Sequence, residues 1–256
     1  MKLELAGAVA LVTGGVRGVG RGISRVLVDA GATVVTCARH EPDDPLGGAE
    51  FHQCDVRDEE QVRAMIDSIV ARHGRLDILV NNAGGAPRSD AATASPRLHV
   101  KIVELNLLAP LLVGQAANAV MQQQETGGSI VMVSSVSGHR PSPGTAAYGA
   151  AKAGLDNLVG SLAVEWAPKV RVNSVVAGMV RTEQAHLHYG DQNGIAAVGA
   201  TVPLGRLAEP EEIGNCVAFL VSPLASYVSG ATLAAHGGGE VPAFLRAAHP
   251  SVGLPG

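Results

Sequence analysis

Tyr148 and Lys152 are the pair of side chains in this sequence best suited to acid–base chemistry. They stand four residues apart in a segment, 146–166, whose spacing predicts a helix, so both side chains lie on one face of it. A phenol has a pKa of about 10, and a neighbouring ammonium group favours the phenolate and lowers that pKa. The pair therefore predicts a general acid or base acting on a carbonyl oxygen. The alternative is an amphipathic helix whose lysine extends to solvent.

Ser135 could place a hydroxyl group beside that tyrosine. It follows an apolar segment, Ser129–Ser134, that predicts a strand, and it stands thirteen residues before Tyr148. Ligands of parallel α/β sheets bind at the carboxyl ends of the strands, where a serine can hydrogen-bond the reacting oxygen. Loops are rich in serine, and the nearby alternatives are Ser134, Ser137 and Ser142.

A glycine-rich turn, Thr13–Gly20, joins the first predicted strand to the first predicted helix. At such a junction a pyrophosphate meets backbone N–H groups and the positive end of the helix dipole. The glycines follow the spacing G-x-x-x-G-x-G and not the standard dinucleotide motif G-x-G-x-x-G, so a plain structural turn is the alternative. The position after the first strand favours dinucleotide binding, and the candidate contacts are Gly14, Arg17, Gly18, Val19 and Gly20.

Arg39 follows the second predicted strand, Ala32–Cys37. An acidic residue near this point would bind the ribose 2′-hydroxyl of NAD, but Ala38 occupies that place. Arg39 can instead pair with a 2′-phosphate, and Arg17 adds a second positive charge. These residues favour NADP(H) over NAD(H), with NAD(H) as the other cofactor and two solvated arginines as the alternative interpretation.

Strand and helix patterns alternate along the whole chain and would position these residues. Such alternation implies parallel strands joined by right-handed crossovers, and continuously apolar strands fit a sheet covered on both faces. We expect one Rossmann-type, doubly wound α/β domain over residues 1–256, with about seven strands. The predicted helices include 19–30, 58–73, 100–124, 146–166 and 210–221. The irregular stretch 182–203 predicts a substrate lid, and 240–256 a C-terminal tail.

Composition excludes several classes of protein. The 256 residues are 46% hydrophobic, too apolar for disorder, and the 32 glycines lack the collagen period. A net charge of −4 without a basic stripe argues against nucleic-acid binding. No uninterrupted apolar run reaches the roughly 18 residues that span a bilayer, so we expect no membrane segment. Three cysteines without metal-ligand spacing predict reduced thiols in a cytoplasm and no metal site.

Five motifs, in order, make the chain resemble the short-chain dehydrogenase/reductase family over about residues 5–240. Thr13–Gly20 resembles the T-G-x-x-x-G-x-G cofactor loop of that family, and Asn81–Gly84 resembles its N-N-A-G motif after the fourth strand. Asn106 falls where the family has a catalytic asparagine. The serine and the Y-x-x-x-K motif of the family are matched by Ser135, Tyr148 and Lys152.

The resemblance implies a role for each matched residue. Tyr148 would donate and accept the proton, and Ser135 would polarise the substrate oxygen. Lys152 would lower the pKa of Tyr148 and bind the nicotinamide ribose, while Asn106 would hold a water in a proton relay to Lys152. The other implied cofactor contacts are Asp55 at the adenine ring, Asn82 and Ala83 along the cofactor, Val180 and Thr182 at the carboxamide, and also Val56, Gly84 and Tyr148. For Asp55 the alternative is a helix N-cap, a place that Asp58 suits better.

The chain departs from the family pattern at two places outside the four catalytic positions. Ala177-Gly178 stands where the family often has Pro-Gly, and His236–Gly239 where it often has Asp-Gly-Gly. His139 lies between Ser135 and Tyr148 and is a further candidate for a substrate contact.

The resemblance implies an oxidoreductase that transfers a hydride between NADP(H) or NAD(H) and a carbonyl or secondary-alcohol carbon. The lid composition favours a mid-sized, partly apolar substrate such as a 3-oxoacyl thioester, a steroid or an alicyclic ketone. The alternative is a non-catalytic dinucleotide-sensing or scaffold protein of the same fold, while a nucleotide-sugar epimerase or dehydratase would be longer. The resemblance also implies a homotetramer, or a dimer, packed through the helices 100–124 and 146–166.

Overall fold

The computed structural model describes residues 3–248, with side chains described to residue 245. Seven strands form one sheet in the order β3-β2-β1-β4-β5-β6-β7, and every neighbouring pair is parallel. The strands are β1 Val9–Thr13, β2 Thr33–Ala38, β3 Ala49–Gln53, β4 Ile78–Asn81, β5 Gly128–Ser135, β6 Val170–Ala177 and β7 Thr232–Ala235. The predicted doubly wound α/β fold is confirmed.

Helices cover both faces of this sheet. They are α1 Gly18–Asp29, α2 Glu59–His73, α3 Pro96–Val103, α4 Ala109–Met121, α5 Ala146–Glu165, α6 His186–Tyr189, α7 Gln192–Gly199, α8 Pro210–Val221 and α9 Ala243–Ala248. One core packs α2, α4 and α5 against the sheet through buried residues such as Met65, Val113 and Leu155. The other packs α1 and α8 against the opposite face through Ile23 and Ile213. Because both faces are covered, the central strands β1 and β4 are buried throughout and mostly apolar.

The strand order places a crevice at the carboxyl ends of β1 and β4. The chain runs from β1 to β2 and β3 on one side, then returns to β4 and continues to β7 on the other. The connections that follow β1 and β4 therefore diverge, and ligands of open α/β sheets bind in the gap between them. The glycine turn 13–20 follows β1, and the Asn81–Gly84 motif begins at the end of β4.

The helix expected over 100–124 is interrupted. Helical residues run from Pro96 to Met121, but Glu104–Leu108 form a π-helical turn between α3 and α4. Single π turns inside α-helices occur frequently at functional sites, and the spacing of apolar residues does not reveal them. Asn106 lies at the centre of this turn.

This helical segment is also long and apolar enough, by length and composition alone, to cross a membrane. Its side chains Val113, Ala117 and Met121 are fully buried against the sheet. The segment therefore packs as a core helix of the α/β fold, since its apolar face is already covered by the protein itself.

The segment 182–203, expected to be irregular, contains the short helices α6 and α7. Asp191 caps α7, with its Oδ1 accepting from the Gly194 N–H at 2.9 Å. A small apolar cluster packs beneath the segment, and its buried residues are Ala185, Ile195 and Leu207. The expectation of an irregular loop is thus wrong, because an Asp N-cap and local apolar burial order two short helices. Of the predicted tail 240–256, residues 249–256 lie outside the described residues.

Candidate active site

An open cavity of about 1300 Å³ lies at the carboxyl ends of the central strands. All fifteen residues expected to contact the cofactor line it, including Tyr148 and Lys152, and so does Ser135. Asn106 is fully buried behind the cavity wall. Residues from the turns after β1, β2, β3, β4, β5 and β6 are thus brought together, although they are spread over 169 positions from Gly14 to Thr182.

The glycine turn is held against the end of β4. The side-chain amide of Asn82 donates to the backbone oxygens of Thr13 and Gly14, at 2.9 and 3.2 Å. Gly14 and Gly18 adopt φ of 62° and 53°, a conformation that L side chains avoid. A Cβ on Gly20 would lie 2.2 Å from the oxygen of Gly14, so only glycine fits there. The glycine positions of the turn keep their N–H groups close to the cavity, because these positions carry no side chain.

One carboxylate reaches this turn from the lid. Oε1 of Glu183 accepts a hydrogen bond from the Gly18 N–H at 3.1 Å. Gly18 begins α1, where the helix dipole favours an anion. The contact shows that the N–H is positioned to bind an anionic oxygen, and the sequence motif gave no indication of Glu183.

Four arginines line the cofactor half of the cavity, and two of them are paired. Arg21 contacts Asp44 at 2.7 Å, and Arg57 contacts Asp55 at 2.6 Å. Among the described residues no carboxylate lies within ion-pair distance of Arg17 or Arg39. The two guanidinium groups on which the NADP(H) expectation rests are therefore free of such partners.

Asp55 does not cap a helix. Asp58 caps α2 and accepts from the N–H groups of Glu60 and Gln61 at 3.0 and 3.1 Å, as the sequence favours. The carboxylate of Asp55 is instead held by the side chain of Arg57, whose hydrogen bonds lower the pKa of Asp55 below its ordinary value. The sequence motifs did not predict this ion pair, although Asp55 and Arg57 stand two residues apart.

Ser135, Tyr148 and Lys152 meet where β5 ends and α5 begins. Ser135 lies beside Tyr148, and Nζ of Lys152 lies 5.7 Å from the centre of the Tyr148 ring. Lys152 is buried and donates from Nζ to the backbone oxygen of Val133 at 2.7 Å. The expected three-residue cluster is therefore assembled, with hydroxyl groups toward the cavity and the ammonium group behind them.

Burial is the largest influence on the pKa of Tyr148 in this structure, and the expected lowering of that pKa by Lys152 stays a prediction. Burial raises the pKa of Tyr148 above its ordinary value, and the Ser135 hydrogen bond acts in the opposite direction. Burial also lowers the pKa of Lys152 to about 8. The physical reason is desolvation, which disfavours the charged form of each group.

Asn106 fastens the β4 motif to the π-helical turn. Its Nδ2 donates to the oxygens of Gly85 and Ile102 at 2.9 and 2.8 Å, and its Oδ1 accepts from the Gly85 N–H at 2.8 Å. Both amide protons are used, so the side chain keeps only acceptor capacity for a water. A Cβ on Gly84 would lie 2.7 Å from Oδ1 of Asn106 and 3.5 Å from Nζ of Lys152. Gly84 thus allows these two groups to approach one another.

His139 contacts a carboxylate whose side chain is only 11% exposed. Its Nε2 lies 2.9 Å from Oδ2 of Asp156, and Asp156 also accepts from the hydroxyls of Ser134 and Ser174 at 2.7 and 2.8 Å. The sequence missed Asp156, although it stands four residues after Lys152 and hence on the same helix face. Among the described residues no cluster of three or more His, Cys, Asp or Glu could hold a metal ion.

Comparison with known proteins places this site in a family. A family model described as Enoyl-(Acyl carrier protein) reductase matches residues 14–240. A tropinone reductase homolog of Arabidopsis thaliana is 35% identical over 96% of this chain and 97% of its own length. The 3-oxoacyl-[acyl-carrier-protein] reductase FabG of Vibrio cholerae is 36% identical over 92% and 98%.

Solved structures show the same fold at similar identity. Ligand-free aldohexose dehydrogenase of Thermoplasma acidophilum superposes with a TM-score of 0.87 at 30% identity, covering 98% of both chains. A variant actinorhodin polyketide ketoreductase with NADPH gives 0.83 at 32% identity, covering 90% of this chain and 96% of the other. With the fold, the ordered motifs and these relatives in agreement, the chain belongs to the short-chain dehydrogenase/reductase family and is an NAD(P)-dependent oxidoreductase that acts on CH–OH groups.

Proposed function

We propose that this protein interconverts a ketone and a secondary alcohol on a mid-sized, partly apolar substrate, with NADP(H) as the preferred cofactor. The observation that carries the proposal is one cavity lined by both the glycine turn and the cluster of Ser135, Tyr148 and Lys152. A dinucleotide bound along the turn would end beside the tyrosine. The relatives named for reduction of tropinone and of 3-oxoacyl groups support a carbonyl substrate.

The residues present fit a dinucleotide. Gly14 and Gly18 have left-handed φ values and Gly20 has no room for a Cβ, so backbone N–H groups border the space for a pyrophosphate. Asp55 and Val56 line the expected adenine end, and Val180 and Thr182 the expected carboxamide end. The preference for NADP(H) is supported by Arg17 and Arg39, which line the cavity without a carboxylate partner and can pair with a 2′-phosphate.

When bound, the nicotinamide supplies or takes up the hydride of the reaction. In the reductive direction Tyr148 donates its phenolic proton to the carbonyl oxygen as that oxygen gains negative charge. Ser135 donates a second hydrogen bond to the same oxygen and stabilises the developing charge. In oxidation the same two groups act in reverse, and Tyr148 removes the hydroxyl proton.

Lys152 and Asn106 act behind this pair. Lys152 lies next to Gly84 and holds a positive charge below a pH of about 8, where it stabilises the Tyr148 phenolate and binds the nicotinamide ribose. Asn106 holds Gly85 in place through a pair of hydrogen bonds and offers its Oδ1 as an acceptor for the relay water. The relay would return a proton to Tyr148 after each turnover.

We also propose that the protein is a homotetramer, or a dimer, in the cytoplasm, formed by one catalytic domain over residues 1–256. Exposed apolar side chains on the helices named for this contact support the assembly, since Val164 on α5 is 80% exposed and Leu108 at the start of α4 is 52% exposed. The three free thiols are compatible with a reducing compartment.

A cofactor-resolved activity screen over ketones and acyl thioesters tests the proposal. We expect kcat/KM with NADPH to exceed that with NADH. Arg39→Gln should lower the NADPH value by about tenfold and leave the NADH value unchanged, because a charge-assisted bond to the 2′-phosphate is lost. Arg63→Gln, which removes an exposed α2 arginine that does not line the cavity, is the control. A wild-type preference for NADH contradicts the cofactor assignment, and absence of turnover on every substrate contradicts the reaction.

A further inference from the structure

The substrate half of the cavity carries a positive charge that the reaction itself does not use. The acidic residues that line the cavity all lie on its cofactor side, and they are Glu41, Asp43, Asp44, Asp55 and Glu183. The wall beyond Tyr148 is formed by segments around 85–88, 137–145, 179 and 184–189, and none of its described lining residues is acidic. Two arginines, Arg88 and Arg140, belong to this wall.

Arg140 is neutralised within the protein. Its Nη2 lies 2.7 Å from Oε1 of Glu240, and its Nη1 donates to the backbone oxygen of Pro141 at 3.1 Å. Arg88 has no carboxylate within ion-pair distance among the described residues. The net charge of this wall is therefore set by the guanidinium group of Arg88.

The stem of Arg88 packs near the turn that precedes Tyr148. The neighbouring Ser89 N–H donates to the oxygen of Gly144 at 2.8 Å. The Arg88 side chain crosses Gly144, because a Cβ built on that glycine would lie 3.2 Å from Cγ and 3.3 Å from Nε of Arg88. Gly144 precedes Tyr148 by four residues, so the arginine stem packs beside the turn that leads into α5.

The other end of the same segment is also anchored. The Gly85 N–H donates to Oδ1 of Asn106 at 2.8 Å, and Nδ2 of Asn106 donates to the Gly85 oxygen at 2.9 Å. Arg88 thus lies between two anchored points and remains exposed at the mouth of the cavity. Such preorganisation lowers the ordering cost of binding a ligand.

We propose that Arg88 is a specificity-determining residue that binds a carboxylate group carried by the substrate away from its reacting carbon. The inference rests on the proposed ketone–alcohol function and adds the charge class of the substrate to it. A guanidinium group binds a carboxylate through two parallel hydrogen bonds, and one unpaired positive charge matches the single charge of a carboxylate. A phosphate monoester, with a charge of about −1.5 to −2, would leave negative charge unpaired at this wall.

The first test compares two ketones that differ in charge on the same ring, 4-oxocyclohexanecarboxylate and its methyl ester. We expect wild-type kcat/KM to favour the acid by about tenfold. Arg88→Gln should abolish that preference, chiefly by lowering kcat/KM for the acid, and Arg88→Lys should retain part of it. Arg97→Gln removes an exposed arginine that does not line the cavity and serves as the matched control.

The second test measures binding and does not depend on turnover. Titration calorimetry with the enzyme saturated with NADP⁺ would compare cyclohexanecarboxylate, its carboxamide and cyclohexyl phosphate. We expect the carboxylate to bind about tenfold more tightly than the carboxamide in wild type and Arg97→Gln, but not in Arg88→Gln. Failure of the proposed reaction would appear as absence of turnover with this binding pattern intact.

Three results would overturn the role of Arg88. One is a wild-type enzyme that shows the same kcat/KM for the acid and the ester, or that binds the carboxylate no more tightly than the carboxamide or not at all. The second is a preference that survives in Arg88→Gln or is lost only in Arg140→Gln. The third is tighter binding of cyclohexyl phosphate than of the carboxylate, which would assign the site to a phosphate.

Discussion

Nε2 of His139 lies 2.9 Å from Oδ2 of Asp156 and so joins the loop after β5 to the helix that carries Lys152. Asp156 is one helical turn beyond Lys152, and its side chain is only 11% exposed. Its negative charge raises the pKa of Lys152 and opposes the larger effect of burial. A residue outside the expected catalytic set therefore influences the charge of one that is in it.

Asp156→Asn should lower the pKa of Lys152 further below about 8, because the opposing charge is gone while burial remains. We expect the alkaline limb of the kcat/KM profile to move to lower pH, with cofactor affinity at pH 6 unchanged. His139→Gln, which removes the ring but keeps the carboxylate, should shift the limb less. An alkaline limb that coincides with that of the wild type would contradict this influence.

Tyr148→Phe should lower kcat by about 10² to 10⁴, the usual contribution of a positioned general acid–base group. The ring that packs in the cavity wall is kept, so the dissociation constant of NADPH, followed by its fluorescence, should change little. Tyr227→Phe, at a fully exposed tyrosine, is the matched control. Near-normal turnover of Tyr148→Phe at saturating substrate would show that another group moves the proton.

Lys152 should make the stability of the protein depend on alkaline pH. Its folded-state pKa of about 8 lies below the ordinary 10.5, so the unfolded chain binds more protons between these values. The free energy of unfolding should therefore rise with pH over that window, by roughly 3 kcal/mol in all. Urea unfolding of wild type and Lys152→Met from pH 7 to 10.5 measures the difference. If the free energies of unfolding of the two proteins depend on pH in the same way, folding does not lower the pKa of Lys152.

Gly20→Ala should weaken NADPH binding by more than tenfold. The new Cβ would lie 2.2 Å from the oxygen of Gly14 and 2.4 Å from Nδ2 of Asn82, so the glycine turn would have to move away from β4. Gly160→Ala is the matched control, since the space around its Cβ on α5 is open. Equal dissociation constants for the two variants would show that the turn tolerates a side chain.

Glu183→Gln should tighten binding of NADPH several-fold. The Glu183 carboxylate accepts from the Gly18 N–H at 3.1 Å, at the place proposed for the cofactor pyrophosphate. The amide oxygen of Gln is a weaker acceptor than the carboxylate, and the substitution also removes a like charge. The gain should decline at high salt, where exposed charges are screened. Glu211→Gln, at a carboxylate that pairs with Arg25 and does not line the cavity, controls for net charge. Weaker binding by Glu183→Gln would instead assign Glu183 a supporting role.

The sequence by itself determined the fold class and the chemistry of the cluster. Apolar strands that alternate with helical spacings leave few arrangements other than a doubly wound sheet, and the Tyr148–Lys152 spacing fixes a shared helix face. The glycines at 14, 18 and 20 were identifiable because their backbone and steric needs restrict the residue type. In each case the controlling interactions are local, so they appear as spacing along the chain.

Only the tertiary structure decided the charge states and the long-range partners. Burial set the pKa directions of Tyr148 and Lys152, and burial depends on elements packed from several parts of the chain. The contacts of Glu183 with Gly18 and of Arg140 with Glu240 span 165 and 100 residues. No local pattern encodes such pairs. Which arginines remain unpaired, and hence which groups can meet a ligand, depends on the folded geometry alone.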